Sequence, residues 1–417
     1  MNRLDAPELH EIDQIAYSKP EGLMSDTGIP LFYLQERNSE ASRLEILFDC
    51  GSIDGEKGWV AALVGLLLAG TKDKTMAEIN DQIDEYGGYF QAGLSSDHSY
   101  ISLYGLNESM PTLVELIIEA MKNATLPEEE LRTWINERKQ QLSVNLEKVS
   151  FLAQRTFQEK LFLHTPYGNV IETNDYDQLK RDSLLSFYRN TFLTSIRKVN
   201  LVGNFEASSL KRILEVFNGW KTLPLEKRKY TFKATPGRYD QEKPGAVQTS
   251  IRFGKITFDK NHEDYHVMTV LNTVLGDYFG SRLMQNIRED KGYTYGIGSF
   301  LGENYSNGYF GIATDVGKEF VSDTLEQIVI EINRLRTELI PEEELSLVKN
   351  YLTGQFLKSA DGTFAMMDLH SAAELQGLDY SFYEKGLSAI QQCTPERVLE
   401  VAQKHLEPSE FITVTVG

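Results

Sequence analysis

Apolar positions along this chain fall into short segments of two periodicities, and the two kinds alternate. Residues 28–34 and 44–50 read as a pair of strands separated by polar residues 35–42. An apolar helix is expected over 58–69 and an amphipathic one over 76–86. After Gly87-Gly88 come two strands, near 89–94 and 100–106, and then a helix over 111–122. Pro127-Glu-Glu-Glu130 opens a helix running to about 148. Proline suits the first turn, where its missing N–H is not needed, and three carboxylates face the positive end of the helix dipole. Helices near 151–163 and 182–192 and a strand over 198–203 close the series.

The same order of signals then starts again. Leu126-Pro-Glu-Glu-Glu-Leu131 returns as Ile340-Pro-Glu-Glu-Glu-Leu345, and Leu201-Val-Gly203 returns as Thr415-Val-Gly417, both 214 positions later. Ile83-Asp-Glu-Tyr-Gly-Gly88-Tyr89 is echoed by Ile287-Arg-Glu-Asp-Lys-Gly292-Tyr293 at an offset of 204, so the second copy carries a loop about ten residues longer. The chain is therefore expected to be α+β and built of two tandem halves. Residues 1–220 form the first and 246–417 the second, and the Lys-, Arg-, Pro- and Gly-bearing stretch 221–245 joins them.

One stretch of the second half offers chemistry. Ser281 to Gly296 reads as a helix ending at Gly292, a left-handed cap, followed by a strand in which Tyr293, Tyr295, Ile297 and Ser299 share a face. Arg288 then sits on the last helical turn and Tyr295 near the start of the strand. A guanidinium and a phenol brought together across a tight turn can donate to a single oxygen, the requirement of a tetrahedral oxyanion. The plainer reading pairs Arg288 with Glu289 or Asp290 and packs Tyr295 into a sheet.

Length and charge narrow the field. At 417 residues the chain is long enough for two sizeable cores. A net charge of -19 disfavours nucleic acid and anionic membranes as partners. Cys50 and Cys393 are too few for a disulfide framework and are expected to be free, buried thiols. Residues 1–10 lack the apolar core of a signal peptide, and the longest apolar run, 59–69, is too short to span a bilayer. A cytoplasmic, soluble protein is the expectation.

Gly58-Trp-Val-Ala-Ala-Leu-Val-Gly-Leu-Leu-Leu-Ala-Gly-Thr71 resembles the zinc helix of the pitrilysin/insulinase metallopeptidases, flanking Gly and Gly-Thr included. Active members carry H-x-x-E-H there, because side chains at i and i+4 project together toward one metal. In register this chain has Ala61, Val64 and Gly65, none of which binds metal or takes a proton. The family's downstream glutamate ligand falls near Gln141; Glu137 and Glu147 lie outside that slot. Further similarities are Gly87 to Ala92, Thr165 to Gly168, Pro244 to Gln248 and the terminal Val-Thr-Val-Gly417.

The resemblance implies that each half is an α/β roll and that four rolls, here from two chains, enclose a peptide. It further implies that the zinc belongs to a homologous H-x-x-E-H partner, with no cofactor in this chain. Arg288 and Tyr295 match, in their seven-residue spacing and their position after Ser281-Arg-Leu, a pair that the non-catalytic subunit supplies to the substrate carbonyl. Extended peptides would bind as an added strand on a sheet edge. The mitochondrial processing branch has a glycine-rich loop where this chain reads Leu275-Gly-Asp-Tyr-Phe-Gly280, so a general peptide-degrading pair fits better.

His262-Glu-Asp-Tyr-His266 is a literal H-E-x-x-H, but polar residues 259–261 place His262 at or before a helix start, and no third ligand follows. His98, His164, His370 and His405 read as isolated, ordinary histidines. Three functions stay open. The first is the non-catalytic subunit of a two-chain zinc peptidase, the second a silent structural or peptide-binding homologue acting as a dimer. The third is an independent peptidase using His262, Glu263 and His266.

Overall fold

In the computed structural model, which describes residues 12, 14–223, 225–227 and 229–417, the segments of period two become strands of two sheets. The first contains β1 (Glu21–Met24), β2 (Pro30–Gln35), β3 (Ala41–Phe48), β4 (Tyr89–Leu94), β5 (Ser99–Leu106) and β6 (Ile196–Gly203), in the order β1-β2-β6-β3-β5-β4. The second contains β7 (Gly237–Gln241), β8 (Gln248–Thr257), β9 (Ile297–Glu303), β10 (Gly308–Gly317) and β11 (Ile412–Val416), in the order β7-β11-β8-β10-β9. β2 runs parallel to β6 and β7 parallel to β11, while the other neighbours are antiparallel. With β1 set aside, the two orders correspond term by term. The expected α+β architecture of two repeated rolls is present.

Two strands escape a reading by hydrophobic pattern. β7 lies inside the 221–245 stretch read as a linker, and β1 precedes the first expected strand. Both are edge strands, and their residues are mostly exposed, so no buried face imposes alternation on them. Backbone pairing is their main support, with Leu23 and Tyr239 the apolar contacts they make.

Each sheet has two covered faces. On the first, Leu31, Leu44, Ile46, Phe48, Ile101, Val199 and Leu201 face the helices of their own half. Phe253, Ile297, Phe310 and Ile312 do the same on the second. The opposite faces are covered by exchange. Helix Val149–Leu161 of the first half lies on the second sheet, where Ala153, Phe157 and Leu161 pack on Ile412, Val414 and Val416. Helix Thr363–Leu375, placed 214 residues later, lies on the first sheet, with Met367 against Leu34 and Val202.

The two exchanged contacts differ in chemistry. The second sheet receives an apolar helix, whereas the first receives a polar one. Lys198, fully buried, donates to Glu374 Oε2 at 2.7 Å and to the Ser371 carbonyl at 3.1 Å. Arg197 reaches the same carboxylate at 2.9 Å, Asn200 Nδ2 donates to Ser371 Oγ at 3.0 Å, and Arg43 pairs with Asp368. Lys198 and Asn200 alternate with Val199 and Leu201, which is the pattern of a strand with one face in water. Here that face is under a helix.

Cys50 and Cys393 are buried and free, and burial pushes the Cys50 thiol up to about 12. Among the described residues no helix is long and apolar enough to cross a membrane.

Removing one partner of a buried ion pair strands the other charge. Glu374→Ala is expected to lower unfolding free energy by about 3 kcal/mol near neutral pH, measured by urea denaturation. Burial lowers the Lys198 pKa and Glu374 opposes that shift, so without Glu374 the lysine falls further below its unfolded value. The unfolded variant then holds more protons than the folded one, and its deficit should shrink as pH rises toward the ordinary range of lysine. A deficit that grows with pH contradicts this assignment.

Candidate functional site

The helix that aligns with the zinc motif spans Trp59–Gly65, shorter than the 58–69 expected. Beyond Gly65 the chain continues as tight turns, with Leu66 N–H donating to the Leu63 carbonyl and Ala69 N–H to that of Leu66. Val60, Ala62 and Leu63 point into the core, which leaves Ala61, Val64 and Gly65 toward the other side, the first two half-buried.

Helix Glu128–Leu146 crosses that side, and the residue it presents to Gly65 is Trp134. A Cβ built on Gly65 would fall on the Trp134 indole nitrogen, closer than real atoms approach. The indole is buried against Tyr176, edge to face at 5.9 Å, with the Arg138 guanidinium over its ring at 5.3 Å. Space that a second histidine would need is filled by an aromatic ring. Gln141 lies two turns further along, exposed and bonded to Asn145 at 3.2 Å. The Gly65–Trp134 fit is the feature missed from sequence. A glycine one helical period from other small residues, opposite a tryptophan-bearing helix, is a weak signal without coordinates.

In the second half, residues 284–290 form a π-helix where an ordinary helix was expected. Such wide turns are rare and cluster at functional positions. This one is anchored on both sides. Arg282 makes a two-pronged bond to Glu344, at 2.9 and 2.8 Å, and Asn286 Nδ2 donates to buried Glu331 at 2.8 Å. Gly292 caps the segment with φ +67°, as expected, and its N–H donates to the Arg288 carbonyl at 3.1 Å. The Arg288 side chain donates to Glu289 Oε1 at 2.8 Å and lies 4.6 Å from the centroid of the exposed Phe279 ring.

Tyr295 is not in a strand; β9 starts at Ile297. The reason is local competition for backbone groups. Gly296 N–H donates to Thr294 Oγ1 at 3.1 Å, Thr294 Oγ1 donates to the Asp315 carbonyl at 2.8 Å, and Thr314 Oγ1 donates to the Gly296 carbonyl at 3.0 Å. This frame fixes the residues on both sides of Tyr295 and leaves the phenol 94% exposed. Arg288 and Tyr295 thus border the same Gly292 turn, but they neither bond nor stack with each other. The degenerate helix belongs to the first sheet's layer and this pair to the second's.

The H-E-x-x-H stretch does not form the helical histidine pair that the zincin motif needs. Tyr265–Leu275 is the helix, so His262 and Glu263 precede it, and Glu263 points to solvent. His262, Asp264 and His405 do bring donor atoms within 4.8 Å of one another, so His405 is not isolated as expected. Those donors are already engaged. Asp264, fully buried, accepts from Arg397, from Lys404 at 2.7 Å and shares a hydrogen bond with His405 Nε2 at 2.8 Å. Its own N–H donates to His262 Nδ1 at 3.1 Å. Burial would raise the Asp264 carboxyl, but these bonds and the charges of Lys404 and Arg397 outweigh it and hold it at about 2. Two neighbouring cations would repel a third, so the cluster is an ion-pair hub.

The packing of Trp134 makes a direct prediction. Gly65→Ala is expected to destabilise the fold by about 1–3 kcal/mol through overcrowding, read from thermal or urea unfolding. Combined with Trp134→Ala, the same change should cost much less than it does alone. Equal penalties in both backgrounds would show that the indole does not close this slot.

Comparison with known proteins agrees with this architecture. Residues 32–173 match the family model described as Insulinase (Peptidase family M16), and residues 178–352 match the one described as Peptidase M16 inactive domain. An uncharacterized zinc protease of Streptomyces coelicolor is 24% identical over 81% of this chain and 76% of its own length. One from Bacillus subtilis is 22% identical over 81% and 83%. A crystal structure of a peptidase M16 inactive domain from Pseudomonas fluorescens superimposes with a TM-score of 0.87, at 21% identity, over 95% of this chain and 98% of that one. A protease from Helicobacter pylori superimposes with a TM-score of 0.85, at 15% identity, over 96% and 100%. Those two likenesses establish the fold. With family matches across both repeated halves, the chain belongs to the M16, insulinase-type, peptidase family.

Proposed function

We propose that this chain is the non-catalytic member of a two-chain zinc peptidase and lends Arg288 and Tyr295 to a site whose metal the other chain holds. The observation that carries the reading is Tyr295 itself. It is a phenol held almost wholly in solvent by a hydrogen-bonded frame, next to an arginine on a π-helix, in a chain whose own metal slot is closed by Trp134. A phenol whose flanking backbone is held by hydrogen bonds that do not bury it is free to meet a group outside its own fold.

The partner is a homologous chain with an intact H-x-x-E-H helix, and its zinc would supply the activated water. What this chain contributes is polarisation and position. Arg288 exchanges Glu289 for the carbonyl oxygen of the peptide, and Tyr295 donates its O–H to the same atom. Both bonds strengthen as that oxygen gains charge in the tetrahedral state. Extended peptides would be held along an unpaired sheet edge such as β4, with backbone bonds giving affinity and little sequence preference.

A silent homologue is the second reading, and one observation favours it: Arg288 is already paired with Glu289 and stacked on Phe279. Activity of the mixed chains separates the two. Arg288→Ala or Tyr295→Phe should lower kcat of the pair about 100- to 1,000-fold, while the isolated chain hydrolyses nothing in a chelator-sensitive manner. Wild-type turnover by both variants assigns the chain a structural role. Chelator-sensitive hydrolysis by the isolated chain removes the two-chain division of labour.

A further inference from the structure

Beside Tyr295 lies a cavity of about 260 Å³ against the paired strands β8 and β10, lined by Gln248, Arg252, Tyr295, Ala313, Thr314 and Asp315 among others. It opens into a trough of about 420 Å³ that shares Gln248 and Asp315 and runs along residues 147–150 and 243–247, the seam between the halves. The Thr294–Gly296–Thr314 frame is also the wall of this cavity, so its shape is set before any ligand arrives.

Two charged groups line it without meeting. Asp315 Oδ1 is buried and has no hydrogen-bond partner among the described residues. Arg252 is bound from behind, donating to Gln154 Oε1, Ser250 Oγ and the carbonyls of Ile251 and Ser150, which leaves one of its five N–H groups unassigned. Asp315 acts on Arg252 through space only. A donor and an acceptor that line one cavity without bonding to each other limit what can fit there.

A lysine would satisfy Asp315 and be repelled by Arg252; a glutamate would do the reverse. An aliphatic group would leave both unsatisfied. A primary carboxamide carries an acceptor and a donor on one carbon and satisfies both. We propose that this pocket is a subsite for the carboxamide side chain of an asparagine or glutamine in the bound peptide, its C=O toward Arg252 and its NH₂ toward Asp315. This rests on the reading of Tyr295 as a substrate-facing residue and adds a specificity to it.

The test is binding by the isolated full chain, independent of any partner. Fluorescein-labelled alanine-based decapeptides carrying one glutamine, norleucine, lysine or glutamate, scanned along the sequence, are titrated by fluorescence anisotropy. At one position glutamine should bind about tenfold tighter than norleucine, the margin that two satisfied polar groups provide. Asp315→Ala should erase that margin, because it removes the acceptor that only the carboxamide satisfies. Ala313→Leu, which fills the cavity while keeping both charges, should erase it too, and thermal melting shows which variants are folded. The proposal fails if no peptide binds, if glutamine has no margin at any position, if lysine or glutamate outranks it, or if the margin survives in the folded variants. Turnover of the mixed pair with Tyr295→Phe tests the oxyanion role separately. Its loss without a glutamine margin removes the subsite alone, and a margin without loss of turnover removes the oxyanion role alone.

Discussion

The exchange of helices between the halves is the constraint on which the rest depends. Neither sheet is complete without a helix from the other half, because Val414 and Val416 need Phe157 and Leu161 as much as Lys198 needs Glu374. A buried ammonium is tolerated only where a carboxylate and carbonyls replace its water. The polar seam on the first sheet is therefore specific in a way that an apolar one is not: Arg43, Arg197, Lys198 and Asn200 each find a partner on helix Thr363–Leu375 in one register only. The apolar seam supplies burial, and the polar seam supplies alignment. Together they fix the closed metal slot and the Arg288–Tyr295 segment relative to one another within a single chain.

Where the resemblance places the family's metal slot, both packing and residue type stand against a metal. Zinc sites need converging, deprotonated donors with room between them. Ala61 and Val64 remove the donors, and Gly65 removes the room, because the absence of its side chain lets Trp134 approach the helix directly. The cluster around Asp264 shows the opposite arrangement. Donors converge there, but Arg397 and Lys404 already neutralise the carboxylate and His262 Nδ1 is occupied by a backbone N–H. In one place ligands are missing and in the other they are engaged.

Much of the fold was legible from residues alone, since the repeat of Pro127-Glu-Glu-Glu130 at 341–344 and the alternation in β3, β5, β8 and β10 reflect local geometry and one buried face per element. What escaped depends on neighbours distant in the chain. Lys198 and Asn200 look solvated until a helix 170 residues away covers them. β7 has no apolar pattern because it is held by backbone bonds to β11. The strand expected from Tyr293 was broken by Thr294 and Thr314, whose hydroxyls take the backbone groups of Gly296. In the candidate site, the Gly292 cap was read correctly, and Arg288 and Tyr295 were singled out by spacing and context. The π-turn beneath Arg288 and the ring of Trp134 opposite Gly65 were not, because nothing in local propensity encodes either.

The exposure of Tyr295 is informative because of how it is maintained. An exposed aromatic at the tip of a loose loop would imply little, since loop residues are generally mobile and solvated. Here Thr294 and Gly296, on either side of the phenol, are tied by hydroxyl bonds to β10, and Gly292 caps the preceding turn in a conformation that favours glycine. None of these contacts buries Tyr295, so they do not serve its packing. They hold the backbone still while the side chain points away, which is the condition for a hydrogen-bond donor that must meet a carbonyl without further ordering. Arg288 differs, since it lies folded onto Glu289 and Phe279, and in the proposed role only an acceptor of comparable negative charge would draw it off them. In the proposed role a developing oxyanion would be such an acceptor, whereas a resting peptide carbonyl is a weaker one, so the arginine's bond would form mainly where it accelerates the reaction.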